Sequence, residues 1–396
     1  MPLNHLFDYF YSVFYIVLLL LSYKTWKVKY NGHKLKYAHI AILVTLIFFA
    51  FRAPVVGGDT FNYVRYLTGE KDYYNLDPRP LEDGFIMYRE FVNCITDSRF
   101  AVMIINTLIT LPPVLYMINK YSRNVPLSVL LFFYLQCTVV YFCALRQMIG
   151  LSIIFVGLLY YLNRIESTGN KVFDLKGLIF LSVSIFFSFF FHTSSVVSGA
   201  LILLLLPITI KYKLIYYALI IISLIANLFG FFDPLEFFAK ILQQDISVIE
   251  RLNDYMENDE TTEGYDFSHL IRLPLLGLIT VYFMDKDKIN HIFVKLFILG
   301  IVVQNLFNTV EIFVRLFAVY NIFGCICFTW IFGKKYAVSY KFRRYVNIVS
   351  LCVVLFYTLI SFNRLTRWNP WDNERMHPYY FIFQDYSDHP SYKFAR

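Results

Sequence analysis

The chain of 396 residues is 58% hydrophobic and only 16% charged, well below the roughly 25% charged residues of soluble domains. That composition argues against an ordinary soluble protein, and apolar runs of about 15 to 22 residues recur from end to end, the mark of a polytopic helical membrane protein. The net charge of +8 is no argument for nucleic acid, because many basic residues lie in short loops between apolar runs.

The first apolar run, 7–23, is followed by Lys24-Thr25-Trp26-Lys27 rather than by small residues, so no cleavable signal peptide is expected. Further runs cover 38–51, 100–118, 126–142, 148–162, 177–191, 195–210, 214–232, 270–284, 291–307, 312–332 and 345–362. The expectation is an all-α protein of about twelve transmembrane helices, with residues 1–396 forming a single transmembrane domain. The loops 23–37, 119–125, 163–176, 211–213, 285–288 and 333–344 are compact and basic, with about 19 Lys+Arg against about 4 acids. The remaining connections hold about 16 Lys+Arg against about 23 acids over more than twice the length. The first set therefore faces the cytoplasm. Both termini, an outer loop 52–99, an acidic outer loop 233–269 and an aromatic-rich tail 363–396 then face outward.

Of the six cysteines, all but Cys94 lie in or beside apolar runs and none forms a C-x-x-C pair, which argues against disulfide or zinc chemistry. Within 52–99, Leu81, Phe85, Tyr88, Val92 and Ile95 recur at helical spacing opposite Glu82, Asp83, Arg89 and Glu90. This predicts an amphipathic helix lying on the bilayer or on the protein's own outer face.

Four groups of polar residues stand out. Arg52, Asp59, Thr60 and Tyr63 follow the second span around Pro54 and Gly57-Gly58, which break the helix and turn the backbone. Arg52 is suited to gripping a phosphate and Asp59 to acting as a base. The bland alternatives are an arginine snorkelling to the headgroups and an aspartate capping the next helix. Glu82-Asp83-Gly84-Phe85 reads more readily as acids in a first helical turn than as catalytic residues. Arg146-Gln147 is wedged between two apolar runs with no room for a loop. A lone arginine costs roughly 2.5–3.5 kcal/mol at mid-bilayer depth and less near the surface, so Arg146 implies a partner or an anionic ligand. Gln304, Asn308, Glu311 and Arg315 form the fourth group, with Glu311 and Arg315 an i, i+4 pair, and His192 closes another span. Arg52, Asp59, Arg146, His192, Glu311 and Arg315 all map to the outer ends of helices, while the span interiors are nearly free of charge. A proton-driven transporter is expected to carry its ionisable groups near the midplane instead.

The ordered set R-x-x-x-x-G-G-D-T-x-x-Y, E-D-G-F, L-R-Q-x-I-G, F-H-T-S-S and E-x-x-x-R resembles the EpsG-like branch of Wzy-type polysaccharide polymerases over nearly the whole chain. In that family the small residue after the arginine-glutamine pair usually reads Ala, and the histidine motif often continues Ser-Ala; here Gly150 and Ser195 stand instead. The resemblance implies a GT-C-like membrane glycosyltransferase in the bacterial cytoplasmic (inner) membrane. It would join repeat units carried on undecaprenyl diphosphate into O-antigen, capsule or exopolysaccharide on the outer side. It implies no cofactor and no metal, and partners limited to the lipid-linked oligosaccharide, membrane lipid, chain-length regulator and flippase proteins, without nucleic acid. The expected roles are Arg52, Arg146 and Arg315 on the diphosphate, Asp59, then Glu82, then His192 as base, and Tyr63, Gln147 and Glu311 on the sugars. A flippase or transporter of lipid-linked oligosaccharide, a polysaccharide ligase and a membrane O-acyltransferase are the competing readings.

Overall fold

A computed structural model of the chain describes residues 9–28, 31–70, 81–135, 137–168, 174–208, 210, 212–229, 267–284, 288–307, 319–332, 345, 348, 352, 379–385 and 387. The described residues are helical apart from turns and one isolated antiparallel bridge between Arg52 and Phe381. They belong to two compact units, one combining 1–207 with 329–396 and the other spanning 208–328.

In the first unit, α1 (Tyr9–Lys27) and α2 (Asn31–Ala50) form an antiparallel pair, and Lys24 and Lys27 in the last turn of α1 complement its dipole. Short α3 (Thr60–Leu67) and α4 (Asp83–Ile95) follow. Next come α5 (Arg99–Thr110) and α6 (Pro112–Tyr121), bent by 40° where Pro112 and Pro113 break the hydrogen-bond ladder. The sequence predicts one span at 126–142. Instead α7 (Val125–Tyr134) stops at Leu135 and a separate short helix, α8 (Cys137–Cys143), follows. Then α9 (Leu145–Ser167), α10 (Leu175–Phe189) and α11 (Thr193–Leu205) complete the bundle. Asn124 and Asp174 cap α7 and α10, their side-chain oxygens accepting from Leu127 N at 3.2 Å and Gly177 N at 2.7 Å.

The first unit is built around α9, most of which is buried against α5, α6, α8, α10 and α11. Beside it, rings of α1, α2 and α7 interlock, and Tyr379 from the C-terminal segment stacks on Phe48 with centroids 4.3 Å apart. Main-chain bonds from Ala53 N to Tyr380 O and from Ile382 N to Phe51 O, both 2.8 Å, hold that segment at the end of α2.

The second unit contains α12 (Lys213–Leu228), α13 (Phe267–Phe283), α14 (Lys288–Leu306) and α15 (Asn321–Phe328), before a 3₁₀ turn, Thr329–Phe332, rejoins the first. A polar seam links α12 to α14: Asn305 Nδ2 donates to Ser223 Oγ at 2.9 Å and Asn227 Nδ2 to Asn305 O at 2.6 Å.

Among the described residues, Gly32–Ala50 and Leu145–Ser167 are long and apolar enough to cross a membrane, and the bent pair α5–α6 makes a third if it is one span. Of the other expected spans in the described part, α1 is a continuous helix of 19 residues, and the rest are shorter apolar helices or broken ones. The run 345–362 apart from 345, 348 and 352, the start of 312–332, the acidic loop as far as 266 and the tail 363–378 lie outside the described residues.

Polar contacts collect at the two ends of α9, which at 23 residues is about 34 Å long. At its C-terminal end Arg164 pairs with Asp174 at 3.0 Å, and Lys120 pairs with Glu166 at 2.6 Å. These residues belong to the compact basic loops. The candidate site lies at the other end.

Candidate functional site

Arg146 enters because α8 ends and α9 begins across a single non-helical residue, Ala144. That break sets the guanidinium in the first turn of α9. Its Nη1 lies 2.8 Å from Glu82 Oε2, and its Nε donates to the Tyr63 hydroxyl at 3.2 Å. The other carboxylate oxygen of Glu82 accepts from His192 Nδ1 at 2.9 Å. One carboxylate therefore joins an arginine and a histidine that are distant in sequence. The side chains of Arg146, Glu82 and His192 are 12%, 20% and 28% exposed, so the group is partly dry but open to solvent.

Each partner is delivered by backbone features written in the motifs. Glu82 is the N-cap of α4 and His192 the N-cap of α11; neither side chain makes a cap hydrogen bond. The first turn of α4 is pressed onto the α10–α11 turn, where Gly84 N donates to Phe190 O at 2.8 Å. A Cβ on Gly84 would stand 2.5 Å from that carbonyl oxygen, a backbone atom that cannot swing away. Gly84→Ala is therefore expected to destabilise the fold by about 1–3 kcal/mol and to draw Glu82 away from His192. A lowered thermal midpoint together with reduced activity in the detergent-purified variant is the check, and a wild-type midpoint would contradict it.

The Arg52–Tyr63 stretch supports the other side. Gly57 adopts φ +108°, open to glycine, and lets the chain turn against Phe142. The Phe142 carbonyl, at the C-terminal end of α8, accepts from Arg52 Nη1 at 3.3 Å and from Thr60 Oγ1. Arg52 also donates to Val56 O at 2.9 Å and lies 4.0 Å above the Phe142 ring. It is buried, and burial pushes its guanidinium down to about 10, still a cation at neutral pH. Arg52 thus braces the backbone four residues before Arg146 with contacts of its own. Its contacts are with main-chain carbonyls and a ring. Asp59 is exposed at the N-cap of α3. Gln147 is buried, its carbonyl accepting from Ser195 Oγ at 3.2 Å. Asn308, Glu311 and Arg315 lie outside the described residues.

Burial alone pushes the Glu82 carboxyl up, but the His192 hydrogen bond and the Arg146 charge outweigh it and hold it below the usual carboxylate range. Glu82 is thus an anion at neutral pH. A carboxylate in that state requires a proton on His192 Nδ1, which in the neutral imidazole makes Nε2 the acceptor. Among the described residues no group of three or more His, Cys, Asp or Glu is arranged to hold a metal ion. The sequence offers Glu82 as a base but does not show its pairing with Arg146 and His192; Gly84, in the first turn of a helix, is the signal that two backbones meet there.

Comparison with family models gives a match to the EpsG family over residues 35–381. The chain belongs to the EpsG family. Membership makes it, at a coarse level, a membrane protein of polysaccharide-polymerase type acting on lipid-linked oligosaccharide. The EpsG match takes in every site residue named above, from Arg52 to Arg315. No curated protein and no solved structure matches the chain.

Proposed function

We propose that this EpsG-family protein is a GT-C-like glycosyltransferase with about twelve spans. It joins repeat units from a polyprenyl diphosphate donor into surface polysaccharide on the outer side of the cytoplasmic membrane. The observation that supports this most is Glu82 held at once by Arg146 and His192, at the end of α9 opposite the basic loops. The positive-inside rule puts those loops in the cytoplasm and the site outside, with both termini.

In the proposed reaction the bond from the anomeric carbon to the diphosphate oxygen breaks as an acceptor sugar hydroxyl forms the new glycosidic bond. The hydroxyl proton passes to His192 Nε2, and the electron pair leaves with the diphosphate. That leaving group is a stable anion, so it needs charge more than protonation. Arg146 supplies the charge in a partly dry site where a fixed cation counts for more than in water. Glu82 is too well satisfied to be the base and instead orients the imidazole. Asp59, exposed, becomes a weaker candidate than the sequence alone suggests, and Arg52 braces the site. Tyr63 is buried, and its hydroxyl, accepting from Arg146, is the part of it closest to the proposed sugar site.

The test is to incubate purified protein with its lipid-linked repeat unit and separate the products on a gel. A ladder of lengthening chains is expected. Transfer of a single unit to a different acceptor indicates a ligase, and movement of lipid across the bilayer without lengthening indicates a flippase; either overturns the reading.

A further inference from the structure

Helix α4 has three faces rather than two. Phe85, Tyr88 and Val92 are buried against Tyr63, Tyr66, Val102, Met103 and Leu145. Asp83, Glu90 and Asn93 are exposed and polar. Between those faces runs a stripe at i, i+4 and i+8, where Met87, Phe91 and Ile95 are 67%, 54% and 57% exposed. A helix that only covered its own protein would need no such stripe.

Two observations identify what covers it. The N-cap of α4, Glu82, is bonded to Arg146 in the first turn of α9, a helix long and apolar enough to cross a membrane. The helix therefore lies at the end of a span, where the hydrocarbon gives way to headgroups. Beyond Ile95, the connection 96–98 leads straight into α5, where Phe100 and Leu108 are also exposed. The stripe is thus continuous with an apolar belt that a bilayer covers.

The geometry points to α4 as an interfacial helix, with Met87, Phe91 and Ile95 among the acyl chains of one leaflet and Asp83, Glu90 and Asn93 in water. Its consequence, which rests on the proposed polymerase reading, concerns depth. The stripe anchors Glu82, and with it Arg146 and His192, at the level of lipid phosphates, where a lipid-linked diphosphate carries its charge. Lipid covers the stripe whether or not the protein elongates chains.

The experiment uses the full-length protein carrying Cys94→Ser and Cys352→Ser. Single cysteines replace Met87, Phe91, Ile95, Asp83, Glu90 or Asn93, each spin-labelled and reconstituted into phosphatidylethanolamine–phosphatidylglycerol vesicles. Power saturation then compares collisions with oxygen, which concentrates in hydrocarbon, and with a water-soluble nickel chelate. Positions 87, 91 and 95 are expected to favour oxygen several-fold, and 83, 90 and 93 to favour nickel. Nickel access along the stripe means that water covers it, and low access to both reagents means that protein does; either result overturns the inference. Photolabelling of the unsubstituted protein by a lipid-borne diazirine is the second measurement, with adducts expected at Met87, Phe91 and Ile95. A lipid-exposed stripe in a protein that forms no ladder would remove the polymerase reading and leave this one standing.

Discussion

Arg146→Ala is expected to lower chain elongation by roughly 10²–10³-fold, the usual effect of removing one preorganised donor to a developing anion. The loss has two sources. The diphosphate forfeits a fixed cation, and Glu82, bonded to Arg146 at 2.8 Å, loses the charge that helps to hold its carboxyl low. Arg146→Lys is expected to recover a minor part. Lysine restores the charge but not the planar fork that bonds Glu82 and Tyr63 together. Gel ladders at matched protein concentration measure this, and a full-length ladder from Arg146→Ala would remove arginine from the mechanism.

The second large effect separates the roles of His192 and Glu82. His192→Gln is expected to cost roughly 10²–10⁴-fold, the range for a positioned general base. Glu82→Gln keeps shape and an acceptor oxygen, so a smaller loss is expected. The opposite order would make Glu82 the base. Glu82 also has a pH signature. Its folded carboxyl titrates below its ordinary value near 4.3, so it contributes stability at pH values above that. The contribution disappears as the pH falls through the folded value. The gap in thermal midpoint between wild type and Glu82→Gln should accordingly be present near neutral pH and close as the pH falls below the ordinary carboxylate range. A gap that widens under acid would contradict the assignment.

Much of the architecture could be read from the sequence, since apolar runs and breakers follow from transfer energetics. The runs at 38–51 and 148–162 correspond to α2 and α9. The failure at 126–142 is instructive: Gln136 and Thr138, just after Leu135, interrupt a largely apolar run, and reading that run as one span rather than as α7 and the separate α8 passes over their signal. The polar residues of the site were also visible, because an arginine beside an apolar run demands a reason. Their pairing was not. Glu82 and Asp83 are adjacent acids at a helix start, and only the Gly84–Phe190 contact decides that Glu82 meets His192. Arg52 shows a related limit of composition, which cannot tell a cation that binds ligand from one held by main-chain carbonyls, as Arg52 is by those of Val56 and Phe142.

Gly150 and Ser195, the two departures from the family pattern, face each other: a Cβ on Gly150 would lie 2.6 Å from Ser195 Oγ.

The account stands on Arg146, Glu82 and His192 acting as one unit, and a double-mutant cycle on elongation rate tests this most directly. Arg146→Lys, His192→Gln and the combined variant are compared under identical conditions. The combined variant should be far less impaired than the product of the two single losses, as for groups that share one partner. Losses that multiply in full would show two independent residues and contradict the site described here.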